Sequence, residues 1–266
     1  MGKEIYYDKS DIKLEEHTAT SETQFWFQNI TEHEVAGLEL MGSKIVRYPN
    51  GLISTFHDND TFFFNRTIGI NNQNIGAALT EHRPRELVIP SFITKGKDIE
   101  DGLLTDEWLH SLSSIVLVSK LDKKIEVPDI PFKITPIDSK ETFESGFEIF
   151  SSFFLKSGEL VDEAYLRFTH NVNQGPHRII LDGNKPIAMI GSIVIGELAT
   201  IYSGIIDSEY RNTQVLDSMR SEMSNTLLDQ GIVNIYMKTR NKAVNLYTQR
   251  FFAFKNIYNE RIYEKR

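Results

Sequence analysis

Ala199-Thr-Ile-Tyr-Ser-Gly-Ile-Ile206 is an apolar, β-branched run, and Glu209-Tyr-Arg-Asn-Thr-Gln-Val-Leu216 leads from it into a helix. The helix is expected over Val215–Asp229, where Val215, Met219, Met223 and Leu227 recur on one face and Gly231 stands just past the end as a terminator. Ile232–Lys238 reads as the next strand, Ala243–Arg250 as a short helix and Phe252–Glu264 as a hairpin. Strand, helix and strand at this spacing form a βαβ crossover, so this part of the chain is α/β with a mixed sheet.

Upstream, Phe143, Phe147, Phe150 and Phe154 recur at helical spacing over Lys140–Leu155, more simply as core than as a ligand pocket, and a second helix is expected over Glu163–Val172. Strands Arg178–Leu181, Pro186–Ile195 and Leu198–Ile206, separated by Asp182-Gly183-Asn184 and by Gly196, make an antiparallel meander. Before them, Leu121–Pro136 carries Asp122-Lys123-Lys124 and then Pro128, Pro131 and Pro136, an extended connection ending in a strand over Phe132–Ile137. The domain boundary is therefore placed between residues 126 and 127. In the first half, Lys44–Arg47, Leu52–Phe56, Thr61–Asn65 and Arg85–Ile89 read as short strands, and Trp108–Leu121 as a helix end followed by the strand Ile115–Val118.

The bulk properties narrow the function classes. There are 266 residues and no cysteine, which excludes a disulfide framework, a thiolate zinc site and a cysteine nucleophile. A formal net charge of -8 argues against a general phosphate-backbone binder, so no nucleic acid partner is expected, and clusters such as Lys120, Lys123 and Lys124 read as solvated surface. With no apolar run of membrane-spanning length and no signal-like N-terminus, a cytoplasmic protein with no membrane partner is expected. No nucleophile elbow, Walker loop or dinucleotide glycine motif occurs, leaving hydrolase, kinase and dehydrogenase readings without support.

The quoted stretches resemble the GNAT superfamily of acyl-CoA-dependent N-acyltransferases. Its members show a strand, Pro-x-x-Arg-x-x-Gly-x-Gly/Ala opening a long helix, a further strand, and Asn-x-x-Ala-x-x-Leu-Tyr-x-x-x-Gly-Phe. The resemblance implies that acetyl-CoA or another acyl-CoA is the cosubstrate and that no metal takes part. It places the diphosphate on Arg211, Asn212, Thr213, Gln214, Val215 and Leu216, where a helix N-terminus presents its amides. Backbone groups of Ile205 and Ile206 would hold the thioester arm, beside a bulge at Gly204, and Asn241 would contact the CoA arm. Tyr247 would be the acid that protonates the leaving thiolate. Taken singly, Tyr247 reads as a packed tyrosine, Asn241 as an N-cap and Arg211 as a surface arginine; their ordered spacing carries the resemblance.

Phe62-Phe-Phe-Asn-Arg-Thr-Ile-Gly-Ile70 and Trp108–Leu121 resemble the N-terminal half of tandem GNAT proteins, and residues 1–126 hold no Arg-x-x-Gly-x-Gly. The expected architecture is two GNAT-like folds in tandem, each a twisted mixed sheet flanked by helices: a degenerate copy over 1–126 and an acyltransferase over 127–266. The acceptor implied is an amine of a small molecule or peptide, with a homodimer left open. A second reading, a catalytically inactive binding or scaffolding protein, starts from Gln214, Leu216 and Phe251, which stand where the family has small residues. Ser208 stands in the place of the family proline.

Several other residues invite a role. His57-Asp58-Asn59-Asp60 offers metal-like ligands without a complete spacing and reads as a polar turn. His170 and His177 flank a loop that could overhang the acceptor, and either could serve as a base. Glu159, Asp162 and Glu163 could attract a cationic amine but read as a solvated acidic loop, and Glu197 is a further base candidate.

Overall fold

The computed structural model describes residues 17–58, 65–80, 85–93, 108–154, 161–211, 214–239, 248–249 and 253–265. Helix α1 (Ser21–Leu40) begins at Thr20, whose hydroxyl accepts the Thr23 N–H at 3.1 Å, and it buries Trp26, Ile30, Val35 and Leu38. Short elements follow: β1 (Lys44–Arg47), β2 (Ile53–Phe56), β3 (Arg66–Ile68), α2 (Ile75–Thr80) and β4 (Glu86–Pro90). Next come β5 (Trp108–Lys120), β6 (Lys133–Pro136), α3 (Lys140–Phe154), α4 (Val161–Asn173), β7 (His177–Asp182), β8 (Lys185–Ile195) and β9 (Leu198–Ile206). A 3-10 turn over Ser208–Tyr210 leads to α5 (Val215–Asp229), β10 (Asn234–Thr239) and β11 (Lys255–Lys265).

The chain divides into two compact units, one of residues up to Ser119 together with those from Lys238 onward, the other Lys120–Met237. In the first unit the strand order is β1-β2-β3-β4-β11-β5, antiparallel except for the parallel pair β3 and β4. Val35 of α1 packs there with Ile53, Ile68, Val88 and Ile262. Lys238 is half-buried between two carboxylates, Glu260 at 2.8 Å and Glu34 in direct contact, and Arg66 pairs with Glu86 at 3.0 Å. Burial works against the Lys238 charge, yet Glu260 and Glu34 outweigh it and hold the ammonium above its ordinary range.

In the second unit the order is β10-β9-β8-β7-β6, antiparallel except for the parallel pair β9 and β10. Phe150 of α3, Ala164 and Phe168 of α4, Ile179, Met189 and Ile205 share one core. Arg178, the neighbour of Ile179, reaches Thr226 (3.0 Å) and Glu222 (3.4 Å) of α5, so α5 covers the opposite face, because successive strand residues point to opposite sides. Residues 121–128 strap along α5: the Asn225 side chain accepts from Ile125 N–H (2.8 Å) and donates to the Ile125 carbonyl (2.7 Å), and Ser218 donates to the Pro128 carbonyl (2.9 Å).

The expected meander, crossover and α5 are present, and α5 ends at Asp229 with Gly231 just beyond its cap at φ +80°. Other expectations change. The C-terminal hairpin is one strand, β11, because it has β4 on one side and β5 on the other and needs no partner from its own segment. Trp108–Leu121 is strand throughout β5, paired along its length with β11. A boundary at 126/127 differs from the division by contacts, since residues 121–126 belong with α5 and β11 with the first unit. Helix α1 was not anticipated. The strand expected over Thr61–Asn65 lies almost wholly outside the described residues, and so does the helix over Ala243–Arg250.

Candidate functional site

Among the described residues, strands β9 and β10 pair at Leu198–Asn234, Ala199–Ile235 and Thr200–Tyr236 and no further. Beyond Thr200, β9 runs on to Ile206, paired among those residues with β8 alone. Gly191 of β8 faces Tyr202 and Met189 faces Ile205, so the single residue Ile190 stands against two, Ser203 and Gly204. This is the bulge expected at Gly204, which bends the strand where its outer edge becomes unpaired. Ile205 points into the core beneath α3 and α4, and Ile206 is also buried, so what either can offer a ligand is its backbone.

A tight turn follows β9. The Asp207 carboxylate accepts the Glu209 N–H at 3.1 Å, the Tyr210 hydroxyl donates to Asp182 at 2.8 Å, and Lys185 lies 3.3 Å from Asp207 and 3.4 Å from Glu209. Arg211 donates its Nε–H to the Ile206 carbonyl at 3.3 Å. Exposed Gln214 is the N-cap of α5, with φ -70°, ψ 5° and no side-chain capping bond. Val215 is buried and Leu216 half-buried. Asp217 stands in the first turn of the helix, and burial raises its carboxyl above the usual range despite the attraction of Arg220. Asn212, Thr213, Asn241, Tyr247, Phe251 and Phe252 lie outside the described residues.

His177 and Tyr202 form a second constellation that the sequence does not connect. The Gly175 carbonyl can only accept, so His177 Nδ1 donates to it at 2.8 Å, leaving Nε2 to accept the Tyr202 hydroxyl in a short hydrogen bond. Burial drives the imidazole down to about 4, against the pull of the Gly175 carbonyl, so it is neutral at physiological pH. Tyr202 is pushed well above its ordinary range, chiefly by burial and in spite of a hydrogen bond from Asn171. His177 thus holds Tyr202 in place with both ring nitrogens committed, which does not suit a free base. Of the remaining candidates, His170 is half-buried on α4, while Asp162 and Glu197 are exposed. Glu159, Asn59, Asp60 and the Glu163 side chain lie outside the described residues. Among the described residues no group of three His, Asp or Glu is placed to hold a metal ion, and no helix is long and apolar enough to cross a membrane.

No family model and no curated protein matches the sequence. Solved structures do match. A GCN5-related N-acetyltransferase from Kribbella flavida is similar over 90% of this chain and 95% of its own, at 13% identity and TM-score 0.67. Another from Sphaerobacter thermophilus covers 83% of this chain and 79% of its own, at 12% identity and TM-score 0.58. The fold is that of the GNAT proteins. A tandem GNAT protein from the clavulanic acid biosynthesis pathway is similar over 80% of this chain and 78% of its own, at 11% identity and TM-score 0.57. At such identities the likeness is one of fold.

Within the GNAT fold, β9 is the strand to which the resemblance assigned the thioester, and the turn into α5 is the one assigned to the diphosphate. The structure brings Ile205, Ile206 and Arg211 to one strand end and sets Gln214, Val215 and Leu216 at the head of α5. Asp217, one residue past the motif, and the joining of His177 to Tyr202 and Asn171 are not read from the sequence, which singles out His177 as a base. Asp217 was readable as an acid in a first helical turn, whereas no spacing signal joins Tyr202 to His177.

Proposed function

We propose that this chain is a GNAT-type N-acyltransferase that moves an acetyl or other acyl group from an acyl-CoA thioester to an amine of a small molecule or peptide. The observation that supports it is the edge of β9, which parts from β10 after Thr200 and bulges at Ser203 and Gly204. Amides along such an edge can hydrogen-bond a pantetheine arm and polarise a thioester carbonyl. The amine attacks that carbonyl, the C–N bond forms as the C–S bond breaks, the thiolate takes a proton from Tyr247, and the nitrogen's proton passes through solvent to restore the Tyr247 phenol. Residues 1–126 and 127–266 would be the two copies of a tandem protein, the second carrying the chemistry.

The inactive-scaffold reading is favoured by the head of α5, where Gln214 and Leu216 replace small residues. Calorimetry separates the two. The transferase reading expects heat of binding with acetyl-CoA or a longer acyl-CoA at millimolar ligand, and no binding would sink it. The scaffold reading expects binding only after Gln214 and Leu216 are both replaced by glycine.

A further inference from the structure

His177, Gly191 and Tyr202 stand in one row across three strands, since His177 of β7 pairs with Gly191 of β8 and Gly191 with Tyr202 of β9. Residues on the outer two strands of such a row stand about 9.5 Å apart, twice the strand spacing, and a side chain on the middle strand ordinarily fills the gap. Glycine at 191 leaves it open: a Cβ there would collide with the His177 ring and come within 3.1 Å of the Tyr202 ring. The two rings lean over β8 instead, with centroids 5.4 Å apart, and close the bond between Nε2 and the hydroxyl across it. His177 is also fixed from behind. The Pro176 carbonyl accepts the Ser192 N–H at 3.1 Å, the Gln174 carbonyl accepts the Val194 N–H at 2.8 Å, and Gly175, whose carbonyl holds Nδ1, packs directly on the Ser192 backbone. Asn171, buried near the end of α4, gives the Tyr202 hydroxyl its second bond.

The β9 bulge begins at the next residue. Tyr202 and Ile205 both pack toward the core under α3 and α4 although they are three residues apart, because the extra residue at Ser203 and Gly204 resets the alternation of the strand. Ile205 anchors the far side of the bulge by apolar packing, and the bonded Tyr202 hydroxyl anchors the near side. A slip of one residue between them would erase the bulge and turn Ile205 out of the core.

We propose that Tyr202 is a positioning residue for acyl transfer: its hydroxyl, held by His177 and Asn171, keeps the bulge at Ser203 and Gly204 in the shape that presents β9 amides to the thioester carbonyl. The inference rests on the acyl-transfer reading and requires no contact between Tyr202 and the donor. The test uses the full chain and acetyl-CoA isotope-labelled at the thioester carbonyl, with calorimetry for affinity and difference infrared spectroscopy for the carbonyl band, which falls in frequency as amides polarise the bond. Tyr202→Phe removes the hydroxyl and His177→Leu removes its acceptor, so the same bond is broken from either end and failure of one variant to fold leaves the other. Each is expected to weaken acetyl-CoA by about three- to tenfold, the worth of one hydrogen bond, and to move the bound band back toward that of free acetyl-CoA. His177→Gln, whose Oε1 can accept the Tyr202 hydroxyl, should recover most of the affinity and of the band shift lost in His177→Leu. Ile179→Val loosens the same core without touching the bond and should change neither. Native affinity with an unmoved band in Tyr202→Phe or His177→Leu overturns the inference and leaves acyl transfer standing, and so does an equal loss in Ile179→Val. Loss of the fold in both bond-breaking variants would make the bond a purely structural one and overturns it too. If the natural chain binds no acyl-CoA, the inference and the acyl-transfer reading fall together.

Discussion

A Cβ on Gly191 would collide with the imidazole of His177, which cannot retreat while it bonds the Gly175 carbonyl on one side and the Tyr202 hydroxyl on the other. The arrangement needs a neutral ring, which sets a pH dependence. With the folded imidazole held near 4 and an unfolded one near 6.5, the unfolded chain binds the extra proton, so stability is full above about 6.5 and is lost on acidification, by about 3 kcal/mol once pH 4 is reached. His177→Gln should flatten this slope between pH 7 and pH 4 in urea titrations, because carboxylates titrate in both proteins and cancel in the difference. Equal slopes would remove His177 as the source. Tyr247 belongs to the same scale. Tyr247→Phe keeps the ring and removes the proposed proton donor, so turnover should fall by about 10² to 10⁴ with little change in donor affinity. Full turnover with chemistry rate-limiting would make Tyr247 a packing residue.

Elements were legible where one physical signal dominated. The meander is punctuated by Asp182-Gly183 and Gly196, and α5 carries a clean apolar stripe with Gly231 behind it, so their bounds could be read directly. Helix α1 was not read because its inward face includes Thr23, Thr31 and His33 among its apolar residues, which breaks the 3.6-residue rhythm. For β11 the difficulty was different: alternation marks a strand, but partners as distant in sequence as Leu87 and Ile115 leave no local trace. Lys238 shows the same limit, since its carboxylates come from α1 and β11. Removing only the cation leaves the half-buried Glu34 and the buried Glu260 facing each other, so Lys238→Met should destabilise the first unit by about 2–4 kcal/mol. Adding Glu34→Gln and Glu260→Gln should recover most of that loss. Both tryptophans, Trp26 and Trp108, are buried in this unit, so their fluorescence in urea reads it selectively. A loss under about 1 kcal/mol would show that the cluster adds nothing to the fold.

At the scale of the chain, sequence order and packing assign the last residues differently. By sequence, residues from Lys238 onward continue the β9–α5–β10 crossover and would belong to the second of the two proposed copies; in the fold they belong to the first unit, with β11 between β4 and β5. The two assignments make opposite predictions for fragments. A fragment of residues 127–266 keeps the family motif but strips β11 of both neighbours, exposing Ile257, Tyr258, Ile262 and Tyr263, and it also loses the Ile125 strap on Asn225. An unpaired apolar strand offers a row of open backbone groups to other chains, so this fragment should aggregate or leave residues 253–265 unprotected in amide exchange. A fragment of residues 120–237 keeps the pairings that join β6 to β10, the helices on both faces and the strap, and should fold with protected amides in β7, β8 and β9. Adding a separate chain of residues 1–119 to the 127–266 fragment should restore protection to β11, because β4 and β5 return with it. Protected β11 amides in the 127–266 fragment alone would mean that the last strand folds with the second half of the chain and without β4 and β5.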